Sequence, residues 1–469
     1  MADVQASAGV MFDAACDVLV IGAGAAGLTS AMRAKAAGAQ VMVLERDAVP
    51  RGSTALSAGL IPAAETRFQR AEGIIDSRAL HAADIAAKAH GEPDPDAVAT
   101  LVAAVGPAIE WLADAHALPF SVITNFTYPG HSALRMHGLP SRSGLELMDR
   151  LRAAAEAVGI DIVTEAPVTT LFADANGRIA GVGITRPDGS VDRIGCAALV
   201  LATNGHGGNR ALVAETIPEM ATALYFGHGG NQGEAVTWGR ALGAGVRHLS
   251  GYQGHGSVAH PHGILITWAT VIDGGFQVNQ EGVRFANEAR GYSEAAADVL
   301  AQPAGIAWTV FDGRIAAIAR QFEDFRNAES SGAIMSADSV AELAAMMTCP
   351  ADTFAETCRN VDRLKSRGTV DRFGRDWTGR PSLSAPFLAV RVTGALFHTQ
   401  GGLVVDGSAR VQFADGRAMP NLFAAGGAAC GVSGATAAGY LSGNGLLSAI
   451  AYGFVAGSAA ADLVMKSWR

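Results

Sequence analysis

Gly22-Ala23-Gly24-Ala25-Ala26-Gly27 is the first stretch whose residue types and spacing point to chemistry. Glycine at the first position permits a tight turn. At the third it lets a pyrophosphate approach bare backbone, and at the sixth it lets a helix pack close on a strand. The flanks agree. Asp17–Ile21 (DVLVI) is a short β-branched run, a helical pattern continues to Gly38, and Gln40–Leu44 (QVMVL) reads as a second strand. That strand ends at Glu45, a carboxylate able to accept hydrogen bonds from ribose hydroxyls. The start of the intervening helix adds a partial positive charge for phosphate. Strand, glycine turn, helix, strand and acidic residue make up the βαβ dinucleotide fingerprint, which by itself does not separate FAD from NAD.

Other reactive residue types exclude more than they assign. His255, His260 and His262 lie close in sequence, but no carboxylate or cysteine accompanies them at ligand spacing, and no metal site is expected. The cysteines at 16, 196, 349, 358 and 430 form no C-x-x-C pair, so zinc-ribbon, iron–sulfur and haem-attachment motifs are not written here. Cysteines scattered and odd in number suit a reducing cytoplasm, and residues 1–12 lack a signal-peptide pattern. A net charge of -9 argues against a nucleic-acid partner. With 469 residues, 49% hydrophobic and 17% charged, the chain is long enough for two or three packed domains and too apolar for disorder. Its 57 glycines exceed the roughly 7% of average proteins and imply frequent close backbone approach.

Several elements must position the fingerprint. Pro50–Pro62 (PRGSTALSAGLIP) offers small residues and hydroxyls along which a long cofactor can lie. From Glu65 to about Gly159 the periodicity is helical, as in Ala97–Ala113 and Gly144–Ala157. Val163–Leu171 and Arg178–Thr185 read as strands of a small accessory sheet. Ala198–Thr203 is a buried strand leading into Asn204-Gly205-His206-Gly207-Gly208-Asn209, and Asn421–Ala425 is another, leading into Gly426-Gly427. Gly445–Met465 has the length of a membrane span, but Asp462 and its Gly, Ala and Ser content make it a tightly packed core helix, so no membrane span is expected. The nucleotide domain is therefore read as split, with both ends of the chain contributing to it.

Together these segments resemble the flavoprotein subunit family of succinate dehydrogenase and fumarate reductase, as a soluble member with some likeness to the 3-ketosteroid dehydrogenase branch. GIIDS (73–77), DPDAVATL (94–101), EWLADAHALPF (110–120), ATNGHGGN (202–209), GVRFANE (282–288), FHTQGGLVVD (397–406) and LFAAGG (422–427) carry the resemblance. It implies an α/β fold in which a split Rossmann-type FAD-binding domain carries an inserted α+β cap. The expected boundaries are 1–250 (with a helical insertion at about 65–159), 251–393 for the cap, and 394–469. The implied FAD contacts are Gly22, Gly24, Ala25, Ala26, Gly27, Glu45, Arg46, Gly52, Ser53, Thr54, Ser57, Ala58 and Gly59. Further along they are Val168, Ala202, Thr203, Gly205, Asn209, Gly401, Gly426, Gly427, Ser442, Asn444, Gly445 and Leu446. The helix starting near Ser442 would aim its positive end at the flavin pyrimidine edge. No histidine lies between Glu45 and Ala64, so the FAD is expected to be non-covalent.

The resemblance also implies site residues. His398, in H-T-x-G-G, and His255 take the places of the two substrate-binding histidines, and Thr267 that of a threonine beside the substrate carboxylate. The acidic residue that usually follows this threonine is Trp268 here. Four residues after Glu288, where the family carries its proton-delivering arginine, stands Tyr292, with Arg290 two positions earlier. Ahead of LSGN the second clamp arginine is replaced by Tyr440. Losing two fixed cations argues against a plain dicarboxylate specificity. The expected activity is an FAD-dependent dehydrogenase or reductase, cytoplasmic, acting on a carbon–carbon bond next to a carbonyl or carboxyl group. Hydride is exchanged with flavin N5, and Tyr292 or Arg290 handles the α-proton. Electrons would pass to or from a separate partner. The alternatives are an oxidase of the aspartate oxidase kind and a non-catalytic electron-transfer subunit. Arg284 is read as a structural ion-pair residue, while His137 is balanced between a structural role and a place beside the site.

Overall fold

A computed structural model describes residues 2–125, 127–186 and 188–467. The chain divides into two compact units. The first comprises the chain up to Ile217, Gly227–Tyr252 and the chain from His398. The second comprises Pro218–Phe226 and Gln253–Phe397.

The first unit is built on a nine-stranded sheet. Ala14–Ile21 lies at its centre, parallel to Val41–Leu44 on one side and to Val191–Leu201 on the other. Val18, Leu19, Val20, Leu199, Val200 and Leu422 are fully buried. Continuous apolar runs of this kind are what a parallel sheet covered on both faces requires. Ala418–Ala424 joins the same centre, pairing parallel with Leu199–Leu201.

Two expectations are corrected here. Val163–Leu171 is not one strand. Asp161–Val163 pairs with Val41–Leu44, the chain then breaks with Glu165 at φ 49, and Val168–Ala173 begins elsewhere in the sheet. Nor do Val168–Ala173 and Ile179–Thr185 form a separate accessory sheet. Val191–Leu201 is 11 residues long, enough to pair antiparallel with Ile179–Thr185 through its first half and parallel with Ala14–Ile21 through its second. The expected helices are present at Pro95–His116 and Gly144–Ala157. A three-stranded sheet of Ile61–Pro62, Met136–Gly138 and Ser121–Val122 interrupts the helical stretch. Its strands are too short to show a period-2 pattern.

Asn444–Ser467 packs on Ala25–Ala36 through a glycine seam. A Cβ at Gly453 would lie 2.6 Å from the Ala26 carbonyl oxygen, and one at Gly457 2.2 Å from that of Ser30. The backbones therefore touch, and Ser30 Oγ donates to the Gly453 carbonyl at 2.9 Å. Pro95–His116 and Asn444–Lys466 are both long and apolar enough to cross a membrane. Here they pack together, with Trp111 edge-on to Phe454 at 5.6 Å.

The second unit has its own seven-stranded sheet, ordered Ile264–Leu265, Tyr252–Ala259, Phe387–Thr399, Ile306–Asp312 and Phe276–Val278, with Leu224–Tyr225 and Ile334–Ala337 also pairing on Phe387–Thr399. One apolar cluster holds Phe311, Phe325, Val390 and Val392, and a second holds Phe276, Trp308, Phe354 and Trp377. Arg284 is structural, as expected. It reaches Glu288 at 2.8 Å and Asp371 at 2.6 Å, and Arg375 completes the network at 3.0 Å from Glu288. Burial pushes the Glu288 carboxyl up, but the hydrogen bond from Arg284 and the two guanidinium charges outweigh it and the net direction is down.

Candidate active site

The glycine turn interlocks with the neighbouring strand end. Gly22 has φ +100, and a Cβ there would lie 2.4 Å from the Ala202 carbonyl oxygen. A Cβ on Gly27 would lie 1.8 Å from the Gly22 carbonyl oxygen and 3.3 Å from Ala202 Cβ. Gly24 differs, because the nearest atom to its missing Cβ is Thr54 Oγ1 at 3.7 Å. Its backbone is open to approach. Gly24 also begins helix Ala25–Ala36 without a side-chain cap, leaving the positive helix end for an anion. Glu45 accepts from Ala23 N at 2.8 Å through one oxygen and from Asp47 N at 3.0 Å through the other. It thus buckles the turn, and a carboxylate has further lone pairs for ribose hydroxyls.

Gly52, Ser53 and Thr54 lie in a short helix, Gly52–Ala55, from which Thr54 Oγ1 accepts from Ala25 N at 3.3 Å. Ser57, Ala58 and Gly59 follow, and Ser57 Oγ donates to the Thr54 carbonyl at 2.7 Å. The loop 228–234, which the motif reading passed over, folds onto this segment. Asn231 Nδ2 donates to Ser53 Oγ at 2.8 Å, His228 Nε2 lies 2.8 Å from Asp47, and Arg46 pairs with Glu234 at 3.0 Å and with the Gly230 carbonyl. HGGNQGE carries the glycines and amides that could have marked it.

The expected cofactor contacts separate into two kinds. At Gly205, Gly401 and Gly427 the space of the missing side chain is taken by protein. A Cβ would meet Thr399 Oγ1 at 2.0 Å, the His248 carbonyl at 2.1 Å and Asn204 Oδ1 at 2.3 Å respectively. At these glycines close chain packing alone already requires the absence of a side chain. Asn209 is used as the cap of helix Arg210–Thr216, and Val168 sits in the strand ladder opposite Ile184. By contrast Thr203 Oγ1 and Asn444 Oδ1 are buried without a hydrogen-bond partner among the described residues. Both belong to the expected cofactor set and both need a donor or acceptor from outside the chain. With the open Gly24 at the helix start, they fit a bound dinucleotide.

Asn204, His398, Gln400, Gly426, Gly427 and Gly445 line a cleft in the same unit. His398 lies directly over the start of Asn444–Ser467, since a Cβ at Gly445 would be 2.9 Å from its Cε1 and 3.0 Å from its Nε2. Ser442 contributes a carbonyl that meets His131 Nε2 at 2.9 Å, and Leu446 lies in the first turn of the helix. A hydrogen-bond chain sets the His398 tautomer. Asn444 Nδ2 donates to Ser433 Oγ at 2.9 Å, Ser433 Oγ donates to Gln400 Oε1 at 2.7 Å, and Gln400 Nε2 donates to His398 Nδ1 at 2.6 Å. The Thr399 carbonyl also lies 3.4 Å from Nδ1, but the shorter amide contact decides the tautomer. Nε2 therefore carries the proton. Burial lowers the pKa of His398 to about 4, so the ring is neutral. Tyr440 stands edge-on to it at 5.5 Å, its phenol pushed up by burial. Gln400 and Ser433 escaped the motif reading because nothing local marks a hydrogen-bond chain.

In the second unit His255 and Tyr292 stack at 5.0 Å and 20°, flanked by Trp268 at 5.6 Å and Phe397 at 5.6 Å from the imidazole. Ser257 N donates to His255 Nδ1 at 3.1 Å, so this ring too keeps its proton on Nε2, and burial lowers its pKa to about 3. Thr267 is half-buried one residue before Trp268, its hydroxyl 3.4 Å from Ala269 N. Arg290 does not join this cluster. Its side chain is 52% exposed and held by Asp298 at 2.6 Å, apart from the ring stack of Tyr292. His137 is structural, between Thr66 Oγ1 at 2.8 Å and the Arg135 carbonyl at 2.9 Å.

These buried neutral rings have a consequence for stability. Burial is the main cause that lowers His137, His206 and His398 to about 4 and His255 to about 3. In the unfolded chain each titrates near ~6.5. Their contribution is complete above that value and is lost as pH falls toward their folded values. The urea midpoint is expected to drop steadily from pH 7 to pH 5, with unfolding taking up protons. A midpoint independent of pH across this interval would contradict the assignment.

Comparison with known proteins agrees with the geometry. The model of the FAD binding domain family matches residues 17–446. NADH:fumarate oxidoreductase of Klebsiella pneumoniae is 29% identical over 448 residues, covering 95% of this chain and 47% of that protein. The chain thus spans about half the length of this relative. The open conformation of a flavocytochrome c3 fumarate reductase superposes with a TM-score of 0.83 at 27% identity, over 97% of this chain and 79% of that one. A 3-ketosteroid-Δ4-(5α)-dehydrogenase from Rhodococcus jostii shares the fold, with a TM-score of 0.78 at 23% identity, covering 98% of this chain and 100% of that one.

Proposed function

Because this chain belongs to the FAD binding domain family, its cofactor is FAD, and we propose that it is an oxidoreductase for a carbon–carbon bond conjugated to a carbonyl or a single carboxyl group. One observation carries the substrate class. A histidine–tyrosine pair occurs twice, His398 with Tyr440 and His255 with Tyr292, and both histidines are neutral. Each phenol stands where the resemblance implies a guanidinium. Neutral donors suit a carbonyl oxygen, whereas a dicarboxylate calls for fixed, bidentate cations.

Bound FAD supplies a two-electron, hydride-equivalent couple. In the second unit the His255 Nε2–H and the Thr267 hydroxyl hold the activating oxygen and stabilise the negative charge it gains in an enolate-like transition state, and in the first unit His398 presents an Nε2–H donor of the same kind. In the reducing direction the Tyr292 phenol gives its proton to the α-carbon and recovers one from solvent. In the oxidising direction the phenolate takes that proton. Two electrons and two protons are exchanged per double bond, and a separate donor or acceptor balances the electrons. Non-covalent FAD and a reducing compartment belong to the same reading, and the five cysteines are free.

The test is an anaerobic screen of the flavin spectrum against mono- and dicarboxylates, enones and cyclic ketones. Enones or unsaturated monoacids are expected to reoxidise the reduced flavin, or their saturated partners to bleach the oxidised one. Fumarate turning over faster than every monofunctional compound would overturn the substrate class. Peroxide release under air without any such reaction would favour the oxidase alternative.

A further inference from the structure

In the second unit the imidazole and the phenol given chemical roles stand on different elements. His255 lies in strand Tyr252–Ala259, and Tyr292 opens helix Tyr292–Leu300. Their ring stack at 5.0 Å therefore depends on how that helix is seated on that strand. Glycine makes the seat. A Cβ at Gly256 would lie 2.6 Å from the Ala295 carbonyl carbon and 2.7 Å from its oxygen. One at Gly394, on the neighbouring strand Phe387–Thr399, would run into the Ala296 carbonyl oxygen. The helix backbone thus rests directly on two adjacent strands, the second of which also carries Phe397 beside the imidazole. Bare glycine has no side chain to stop the helix sliding, so its register needs a polar link.

Ser293 supplies that link. The Gly254 N–H donates to Ser293 Oγ at 2.9 Å, and both residues are buried. Gly254 precedes His255 and Ser293 follows Tyr292, so one hydrogen bond joins the immediate neighbours of both rings. Consecutive side chains leave a helix about 100° apart, which lets Ser293 reach the strand backbone while Tyr292 lies against the imidazole. On the other side of His255 the Gly256 carbonyl accepts from Gln277 Nε2 at 2.8 Å, and Ser257 N donates to Nδ1 at 3.1 Å. Those two bonds hold His255 within its own sheet, whereas the Ser293 bond ties its strand to the helix. We propose that, for the carbon–carbon oxidoreduction on which this reading rests, Ser293 is a positioning residue. It locks the donor to the activating oxygen and the carrier of the α-proton into one unit. A buried N–H that loses its acceptor is costly, and a small shift between His255 and Tyr292 misaligns two groups that must meet one substrate together.

The experiment records NMR spectra of flavin-loaded protein with isotope-labelled histidine, without substrate, for the parent chain and Ser293→Ala. His255→Gln assigns the His255 signal, and Tyr292→Leu gives its position without the ring current of the phenol. Ser293→Ala is expected to move the signal most of the way to that position. With a substrate validated in the anaerobic screen, kcat should fall about 10- to 100-fold while KM changes less. Ser293→Thr returns the hydroxyl and should restore both readouts. Ser293→Cys fills nearly the same space with a weak acceptor, should show the same losses in part, and keeps the test decisive if the alanine variant does not fold. A His255 signal unchanged in the alanine and cysteine variants overturns the clasp itself. A kcat intact in both, whatever the Tm, marks a merely structural serine and overturns its role in the reaction. The spectra need no substrate, so they decide the clasp even where the proposed reaction fails.

Discussion

A Tyr292→Phe variant is expected to keep its flavin and its fold while turnover with an enone or unsaturated acid falls about 100- to 10,000-fold. Tyr292 opens helix Tyr292–Leu300 and stacks on His255 at 5.0 Å, and phenylalanine preserves that ring contact. What disappears is the proton at the α-carbon. Rapid-mixing measurement of flavin reoxidation separates this from a binding defect, because kcat should fall far more than KM changes. Arg290→Gln is the matched control. That guanidinium sits in a surface pair with Asp298 and should alter turnover little. Full turnover in Tyr292→Phe with a validated substrate would remove the tyrosine from the mechanism.

Gly27→Ala is expected to have the largest effect on stability. The new methyl would lie 1.8 Å from the Gly22 carbonyl oxygen and 3.0 Å from its carbon, and both are backbone atoms of the turn itself. The helix must lift from the strand, at about 3 kcal/mol or more, and the protein should purify colourless with a lowered Tm. Gly24→Ala isolates the other role of the motif. With no neighbour closer than 3.7 Å, the methyl fits the fold, so Tm without cofactor should barely move while FAD affinity falls. Absorbance near the flavin band set beside Tm distinguishes the two outcomes. If both variants retain flavin equally, the division of labour between these glycines is wrong.

Legibility followed locality. The first βαβ unit could be read because its apolar runs, turn and acidic residue all lie between Asp17 and Glu45 and each obeys a short-range rule. Helix Gly144–Ala157 was equally plain from its spacing. The apolar run after Asp161 reads as one strand because nothing local shows that Asp161–Val163 pairs with Val41–Leu44 while Val168–Ala173 pairs with Ile179–Thr185, a tertiary property with no period of its own. The site divides in the same way. His398 and His255 stood in recognisable motifs. The chain from Asn444 through Ser433 and Gln400 joins residues 11 and 33 positions apart, and its members look like ordinary polar residues in glycine-rich loops. Glycine content alone does not tell packing from openness. Gly24 is open, whereas Gly205 and Gly401 make room for Thr399 and His248, a distinction that only packing reveals.

The glycine seam between Ala25–Ala36 and Asn444–Ser467 bears on how the protein is made. Ser30 and Gly453, joined across it, are 423 positions apart. Helix Ala25–Ala36 is synthesised before the second unit, whereas the helix that backs it and carries the glycine beneath His398 is synthesised after the whole of that unit. The nucleotide-binding half therefore spends most of its synthesis with a bare helix face. A flavin site that needs both helices is complete only once residues 444–467 have docked, which places cofactor loading after synthesis of the second unit.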